Sequence, residues 1–342
     1  MKRFGEIIGQ ESARELLVRF LQTGRIPQAL IFQGPDGVGK ATLARAFAEI
    51  LLCEAGDGFR CGQCRSCQLF PTGNHPDCLT ITLLPKEAGK AGGKLARDIV
   101  IDQIRELTRV AGTSPRLGSR LVFIIDPAER MNRNSQNAIL KTLEEPTSKT
   151  VLILVSSRPH LLVPTVRSRS IALRFGPLRT DELTRMLEKR GLSREEARLR
   201  ALFSGGCPGQ ALSLDLDEVE HQRHEILKML ETLSTPVSGA SELPAMAAWL
   251  AGKDEPFFLD NLAMLQTLLR DALRSGSPTD DHALIHADLS DRLTRLRDRI
   301  GPRRTAELVQ GIDRLRGELR FNLNRVLIAE SLLAAACGGP LP

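Results

Sequence analysis

Tyrosine is absent from the 342 residues, tryptophan occurs once, and aromatic residues together make up 4%. A sheet of stacking rings for single-stranded nucleic acid is thereby disfavoured, and any contact with DNA would run through phosphates. No apolar run approaches the roughly 18 residues of a membrane-spanning helix, and the segment after Lys2 and Arg3 has no apolar stretch of signal-peptide length. The expectation is a cytoplasmic protein with no membrane partner. Complete disulfide pairing is excluded by count, because seven cysteines leave one over; in a reducing compartment they serve better as thiols or metal ligands. Charge of one sign is also lacking. With 41 acidic residues among 47 basic ones, the net charge of +6 permits nucleic-acid contact but argues for it only weakly.

The length predicts two or three domains, and 42% hydrophobic with 26% charged residues is the balance of a folded globular chain. Helical spacing is expected over residues 12–23, and Ala29–Gln33 reads as a short apolar strand. A glycine-rich turn and a helix over 39–53 follow. Residues 98–111 carry helical spacing at Ile99, Ile104, Leu107 and Val110. Leu121–Ile125 and Val151–Val155 read as buried strands flanking a helix over Asn134–Glu145 that Pro146 ends. Alternating strands and helices imply a parallel sheet covered on both faces. Beyond Pro177 the strand signals fade. Asp181–Phe203 reads as two helices with a capping box at Ser193 and Glu196, and a further helix spans 217–232. Thr232–Ser241 is the linker candidate, and Lys86–Lys94 reads as a surface loop. The C-terminal stretch is helical in pattern over Phe257–Leu273, Leu284–Ile300 and Thr305–Ala336.

Between the first strand and its helix, Gly34-Pro35-Asp36-Gly37-Val38-Gly39-Lys40 matches a phosphate-binding loop up to its last position. Glycines let backbone N–H groups turn inward around phosphate oxygens, and Lys40 would reach the outer phosphates. The alternative is a tight glycine turn without a ligand. Ala41 stands where a Ser or Thr hydroxyl would meet magnesium, and Thr42 comes one place late; a helix turns about 100° per residue, so Thr42 should point elsewhere. Asp126 ends the second apolar strand as a magnesium-linked carboxylate would, or else caps a turn. Pro127 follows it, where a hydrolysing enzyme of this kind has a water-orienting Glu, and Glu129 is a poor replacement. The candidate nucleotide set is therefore Gly34, Gly37, Gly39, Lys40, Thr42 and Asp126, with ATP or ADP as possible ligands and Mg2+ in doubt.

Cys53, Cys61, Cys64 and Cys67 have the spacing C-x7-C-x2-C-x2-C, which can close a tetrahedral, structural Zn2+ site; free thiols are the alternative. Cys78, Cys207 and Cys337 lie outside the pattern and read as plain thiols, and His75 as a structural residue of the Asn74–Asp77 turn.

Taken together these segments resemble the bacterial clamp-loader AAA+ family of gamma/tau and delta-prime subunits. The likeness rests on Phe4, Ile8-Gly9-Gln10, the four-cysteine insertion after the phosphate loop, and the string from Asn137 to Pro146. His75-Pro76-Asp77 and Asp126-Pro127-Ala128-Glu129-Arg130-Met131 lean towards the delta-prime type. The resemblance implies an α/β AAA+ domain with its zinc module at 1–176, a small helical lid at 177–232, and an all-α collar domain for oligomerisation at 242–342. Ser168-Arg169-Ser170 resembles the family motif whose arginine reaches a neighbouring subunit's ATP, making Arg169 the arginine-finger candidate; a solvated basic face shared with Arg158, Arg167 and Arg174 is the alternative. Ser156 and Ser157 occupy the first sensor position and Gly209 that of the second, normally an arginine. Ile312, Leu315, Leu319, Leu323 and Val326 form an apolar stripe expected to be core, and the arginines from Arg292 to Arg304 a solvated face.

The expected function is a delta-prime-type clamp-loader subunit of the replicative DNA polymerase III holoenzyme. It would not hydrolyse ATP but would donate Arg169 to a gamma/tau ATPase. Implied partners are the gamma/tau and delta subunits in a hetero-oligomeric ring, with the sliding clamp and primer-template DNA reached through the assembly. A hydrolysing gamma/tau-type motor is the alternative, opposed by Ala41 and Pro127. A zinc-dependent DNA-binding module is disfavoured because the cysteines sit inside the nucleotide domain.

Overall fold

A computed structural model describes Phe4 and residues 7–56, 58–85, 96–144, 149–234, 242–275, 284–318, 324–336 and 338–339. The Lys86–Lys94 loop, the 235–241 part of the linker candidate, Glu145, Pro146, Leu319, Leu323 and Cys337 lie outside the described residues. The chain divides into two compact units, Met1–Ser213 and Leu214–Pro342.

In the first unit, α1 (Glu11–Thr23) precedes β1 (Ala29–Gln33) and α2 (Lys40–Leu52). The short α3 (Arg65–Leu69), β2 (Cys78–Ile81), α4 (Ile101–Ala111) and β3 (Leu121–Ile125) follow. Next come α5 (Arg133–Glu144), β4 (Thr150–Ser156), α6 (Pro164–Ser168) and β5 (Ile171–Arg174). The strands form one five-stranded sheet in the order β2-β3-β4-β1-β5, every pairing parallel. Strand side chains alternate between faces. Leu30, Phe32, Val122, Ile124, Val151 and Ile153 therefore pack with Leu43 and Phe47 of α2, while Ile31, Phe123, Ile125, Leu152 and Leu154 pack with Ile104, Leu107 and Ile139 of α4 and α5. Two buried faces account for the unbroken apolar runs of β1, β3 and β4.

Helix α4 starts at Ile101, three residues later than expected, because Ile99 is extended. It bridges to Met131, and its N–H reaches the Arg130 carbonyl at 2.8 Å. Three helices complete the unit: α7 (Thr180–Glu188), α8 (Arg194–Phe203) and α9 (Pro208–Ser213). Of the capping box expected at Ser193 and Glu196 the first half forms, the Ser193 hydroxyl accepting from the Glu196 N–H at 3.2 Å, while the Glu196 carboxylate accepts from Arg200 at 2.9 Å instead.

The second unit is helical: α10 (Leu216–Leu233), α11 (Leu243–Ala251), α12 (Glu255–Arg274), α13 (Ser290–Ile300), α14 (Pro302–Glu318) and α15 (Arg325–Ala336). The helix expected over Leu284–Ile300 begins only at Ser290. The N–H of buried His286 is held by Asp271 at 2.7 Å, and Ala287–Leu289 forms a single 3-10 turn before α13 starts. Ile312 and Leu315 are buried, as a core stripe requires, and Val326 is exposed. Along the arginine run, Glu231 pairs with Arg292, Asp298 with Arg297, and Glu307 with Arg303 and Arg304, so acids cover much of that face. Among the described residues no helix is long and apolar enough to cross a membrane.

One buried carboxylate fixes the entrance to the sheet. Asp77 accepts from the N–H groups of Arg116, Leu117 and Gly118 at 2.6, 2.7 and 2.9 Å, tying the turn before β3 to the start of β2. His75 Nδ1 accepts from the Asp77 N–H at 3.1 Å, which gives that histidine a structural place. Burial alone would raise the Asp77 carboxyl, but the three N–H groups and the neighbouring His75 hold it below the ordinary carboxylate range. The folded state thus favours ionised Asp77. Its contribution is complete above the unfolded pKa of about 3.9 and is lost as pH falls through the depressed folded value. Asp77→Asn should cost about 1–3 kcal/mol near neutral pH by leaving buried N–H groups poorly matched. Thermal unfolding of both forms between pH 7 and 3 should find the difference shrinking at the acid end.

Candidate functional site

Parallel strands deliver their carboxyl ends to one edge of the sheet, where open α/β folds place ligands. The phosphate loop leaves β1 there. Gly34 has φ 154° and lies so close to β5 that an added Cβ would stand 2.2 Å from the Phe175 carbonyl oxygen, so only glycine fits. Gly39 opens α2 in left-handed conformation at φ 97°. Lys40 is buried, with Nζ donating to the Gly34 and Pro35 carbonyls at 2.7 Å each and lying 3.6 Å from the Asp36 carboxylate as an ion pair. The loop's own carbonyls occupy the ammonium, which a phosphate would have to draw away.

A cavity of about 380 Å3 opens over this loop, lined by Asp36–Thr42, Asp126, Pro127 and Ser157, with Ile7, Ile8, Leu178 and Met186 on its apolar side. Gly37, Gly39, Lys40, Thr42 and Asp126 of the candidate set therefore meet in one place, with Gly34 at the root of the loop. Burial pushes the Asp126 carboxyl above the usual range, opposed by Lys40 and reinforced by Glu129 and Asp36. Ala41 and Pro127 line the same space and offer neither a hydroxyl nor a carboxylate. Glu129 is engaged elsewhere: its Oε1 accepts from the Ser157 hydroxyl at 2.6 Å and the Ser157 N–H at 3.1 Å. Burial penalises its charge, yet the Ser157 hydroxyl bond leads the contacts that hold it below the ordinary carboxylate range.

The start of α9 reaches the loop by backbone. The Gly209 N–H donates to the Gly37 carbonyl at 2.8 Å, and a Cβ at Gly209 would come within 3.0 Å of Gly37 Cα. Arg190, just past α7, also lines the cavity. Sequence reasoning missed it, since nothing in its local pattern separates it from the other surface arginines.

The four sulfurs of Cys53, Cys61, Cys64 and Cys67 lie within 4.8 Å of one another, with Cys53–Cys64 at 4.0 Å and Cys61–Cys67 at 3.9 Å. Sulfur–sulfur edges of about 3.8 Å are expected around a tetrahedral ion with bonds of about 2.3 Å, so the cluster could hold a metal such as zinc. N–H groups of Cys61, Cys64 and Cys67 point at sulfurs of the preceding cysteines at 3.3–3.4 Å. N–H groups of Gln63 and Cys64 bring the Cys61 thiol down to about 6, while burial pushes Cys67 up to about 12. Four thiolates this close need a cation to coexist.

Arg169 lies at the opposite end of the strands. Beside it is a cavity of about 220 Å3 lined by Ala29 at the start of β1, Thr150 at the start of β4, and Ile171 at the start of β5. A five-residue strand is about 16 Å long, so Arg169 cannot serve the phosphate loop of its own chain.

Comparison with known proteins follows the same outline. A family profile described as DNA polymerase III, delta subunit, matches residues 9–179. The DNA polymerase III subunit delta' of Pseudomonas aeruginosa is 34% identical over 322 residues, covering 92% of this chain and 93% of that protein. The chain belongs to the delta-prime family of DNA polymerase III subunits. The Escherichia coli subunit delta' is 31% identical, covering 93% of this chain and 91% of that protein. The gamma/tau subunit of Mycobacterium tuberculosis is 34% identical too, but over only 63% of this chain and 37% of that protein. Delta-prime likeness thus covers nearly the whole chain, and gamma/tau likeness under two thirds of it.

Elemental analysis of the purified protein should find about one metal ion per chain. Its removal by a chelator should lower Tm by several degrees, as expected when binding energy is part of folding energy, and a variant with all four cysteines changed to serine should not respond.

Proposed function

We propose that the chain is a non-hydrolysing clamp-loader subunit of the replicative DNA polymerase III holoenzyme, acting in the cytoplasm. In this proposal it binds gamma/tau and delta subunits in a hetero-oligomeric ring and donates Arg169 to a neighbouring gamma/tau ATPase. The assembly then uses ATP to place the sliding clamp on primer-template DNA. The observation that carries the proposal is delta-prime likeness over 92% of the chain. The three proposed domains divide this work: 1–176 carries the nucleotide site and zinc module, 177–232 the lid, and 242–342 the collar contacts.

Three positions support the absence of turnover. Ala41 offers no hydroxyl to magnesium, Pro127 cannot orient water, and Gly209 meets the loop through backbone alone. The loop glycines and Lys40 remain suited to holding the phosphates of ATP or ADP. Zn2+ in the four-cysteine cluster would act structurally, since a closed set of four sulfurs leaves no open position for chemistry. Arg169, at the opposite end of the strands from the phosphate loop, suits action in trans, where a guanidinium neutralises charge developing on a transferring phosphoryl group.

The isolated protein should show no ATPase above background; turnover that Lys40→Ala abolishes would overturn the non-hydrolysing assignment. In a reconstituted clamp loader, Arg169→Ala should slow the one site it faces by about a hundredfold or more, and the whole assembly by that site's share. Subunits should still co-elute, and an unchanged rate would remove the finger.

A further inference from the structure

Arg169 terminates α6, and its guanidinium is held at two points. Nη2 pairs with Glu144 Oε1 at 3.0 Å, and Nη1 donates to the Thr165 carbonyl at 3.3 Å. Glu144 is the last residue of α5. A carboxylate there faces the negative end of the helix dipole, so local helix energetics disfavour an acid at this position. The pair does little for the fold either, because its side chains are 39% and 50% exposed and ion pairs so exposed contribute little. Among the described residues, Arg158, Arg167 and Arg174 carry no comparable carboxylate partner.

The pair does restrict the arginine. A guanidinium carries five donors in a planar fork, and fixing two of them leaves the rest presented together. Orientation set before docking removes rotamer loss from the catalytic step. We propose that Glu144 is the positioning residue for Arg169, preorganising its guanidinium for the phosphates of a nucleotide held by the adjacent subunit; this rests on the trans role proposed above.

The test is steady-state ATP hydrolysis by clamp loader reconstituted from full-length chains, with Arg169→Ala run alongside. Glu144→Ala should lower kcat about threefold to tenfold while KM for ATP, co-elution of subunits and Tm stay unchanged. Glu144→Gln keeps an acceptor oxygen and should recover part of the loss. The double variant should lose no more than Arg169→Ala. A wild-type kcat for Glu144→Ala beside a slowed Arg169→Ala would overturn the positioning role alone. If Arg169→Ala is also without effect, both assignments fall. A loss that follows a lowered Tm or incomplete assembly, or that adds fully to Arg169→Ala, would make Glu144 structural and likewise overturn the proposal.

Discussion

Five strands that all run the same way give the first unit two unlike rims, and the rest of its chemistry follows from that constraint. At the carboxyl rim, chain leaving β1, β3 and β4 supplies the phosphate loop, Asp126 and Ser157 around one cavity. At the amino rim, the chain entering β5 carries Arg169. A two-rimmed domain can accept a ligand on one side and present side chains to another molecule on the other. Neither rim would exist in this form without the twofold burial of β1, β3 and β4, since those strands must be covered by helices to hold the parallel arrangement.

The cysteine cluster is an excursion from this frame. It begins at Cys53, where α2 ends, and returns through the His75–Asp77 turn into β2. Its sulfurs use neighbouring backbone N–H groups as donors, so the module is largely self-contained. Asp77 then fastens its exit to the turn before β3. The excursion lengthens the α2–β2 connection without disturbing the rim where phosphate would sit.

Much of this was legible in the residues. The central strands β1 and β3 lie where their apolar runs predict, because burial on both faces writes a continuous signal. The edge strands β2 and β5 were missed: most of their residues are exposed or half-buried, so no apolar run marks them. The short α3, α6 and α9 also escaped, being too brief to show a period. The phosphate loop and the cysteines were readable because their chemistry demands fixed spacing. Arg190 in the cavity and Glu144 beside Arg169 were not, since both depend on distant segments meeting. The run expected to be helical over Thr305–Ala336 carries α14 and α15, with Asn324 outside both.

The contact of Gly209 with Gly37 also bears on which side chains position 209 can accept. An arginine placed at 209 would bring its Cβ to 3.0 Å from Gly37 Cα, so the phosphate loop or the chain at 209 would have to yield by a few tenths of an ångström. Any such shift falls on the hydrogen bond that joins the two glycines, so the side chain allowed at 209 is set by the loop it touches.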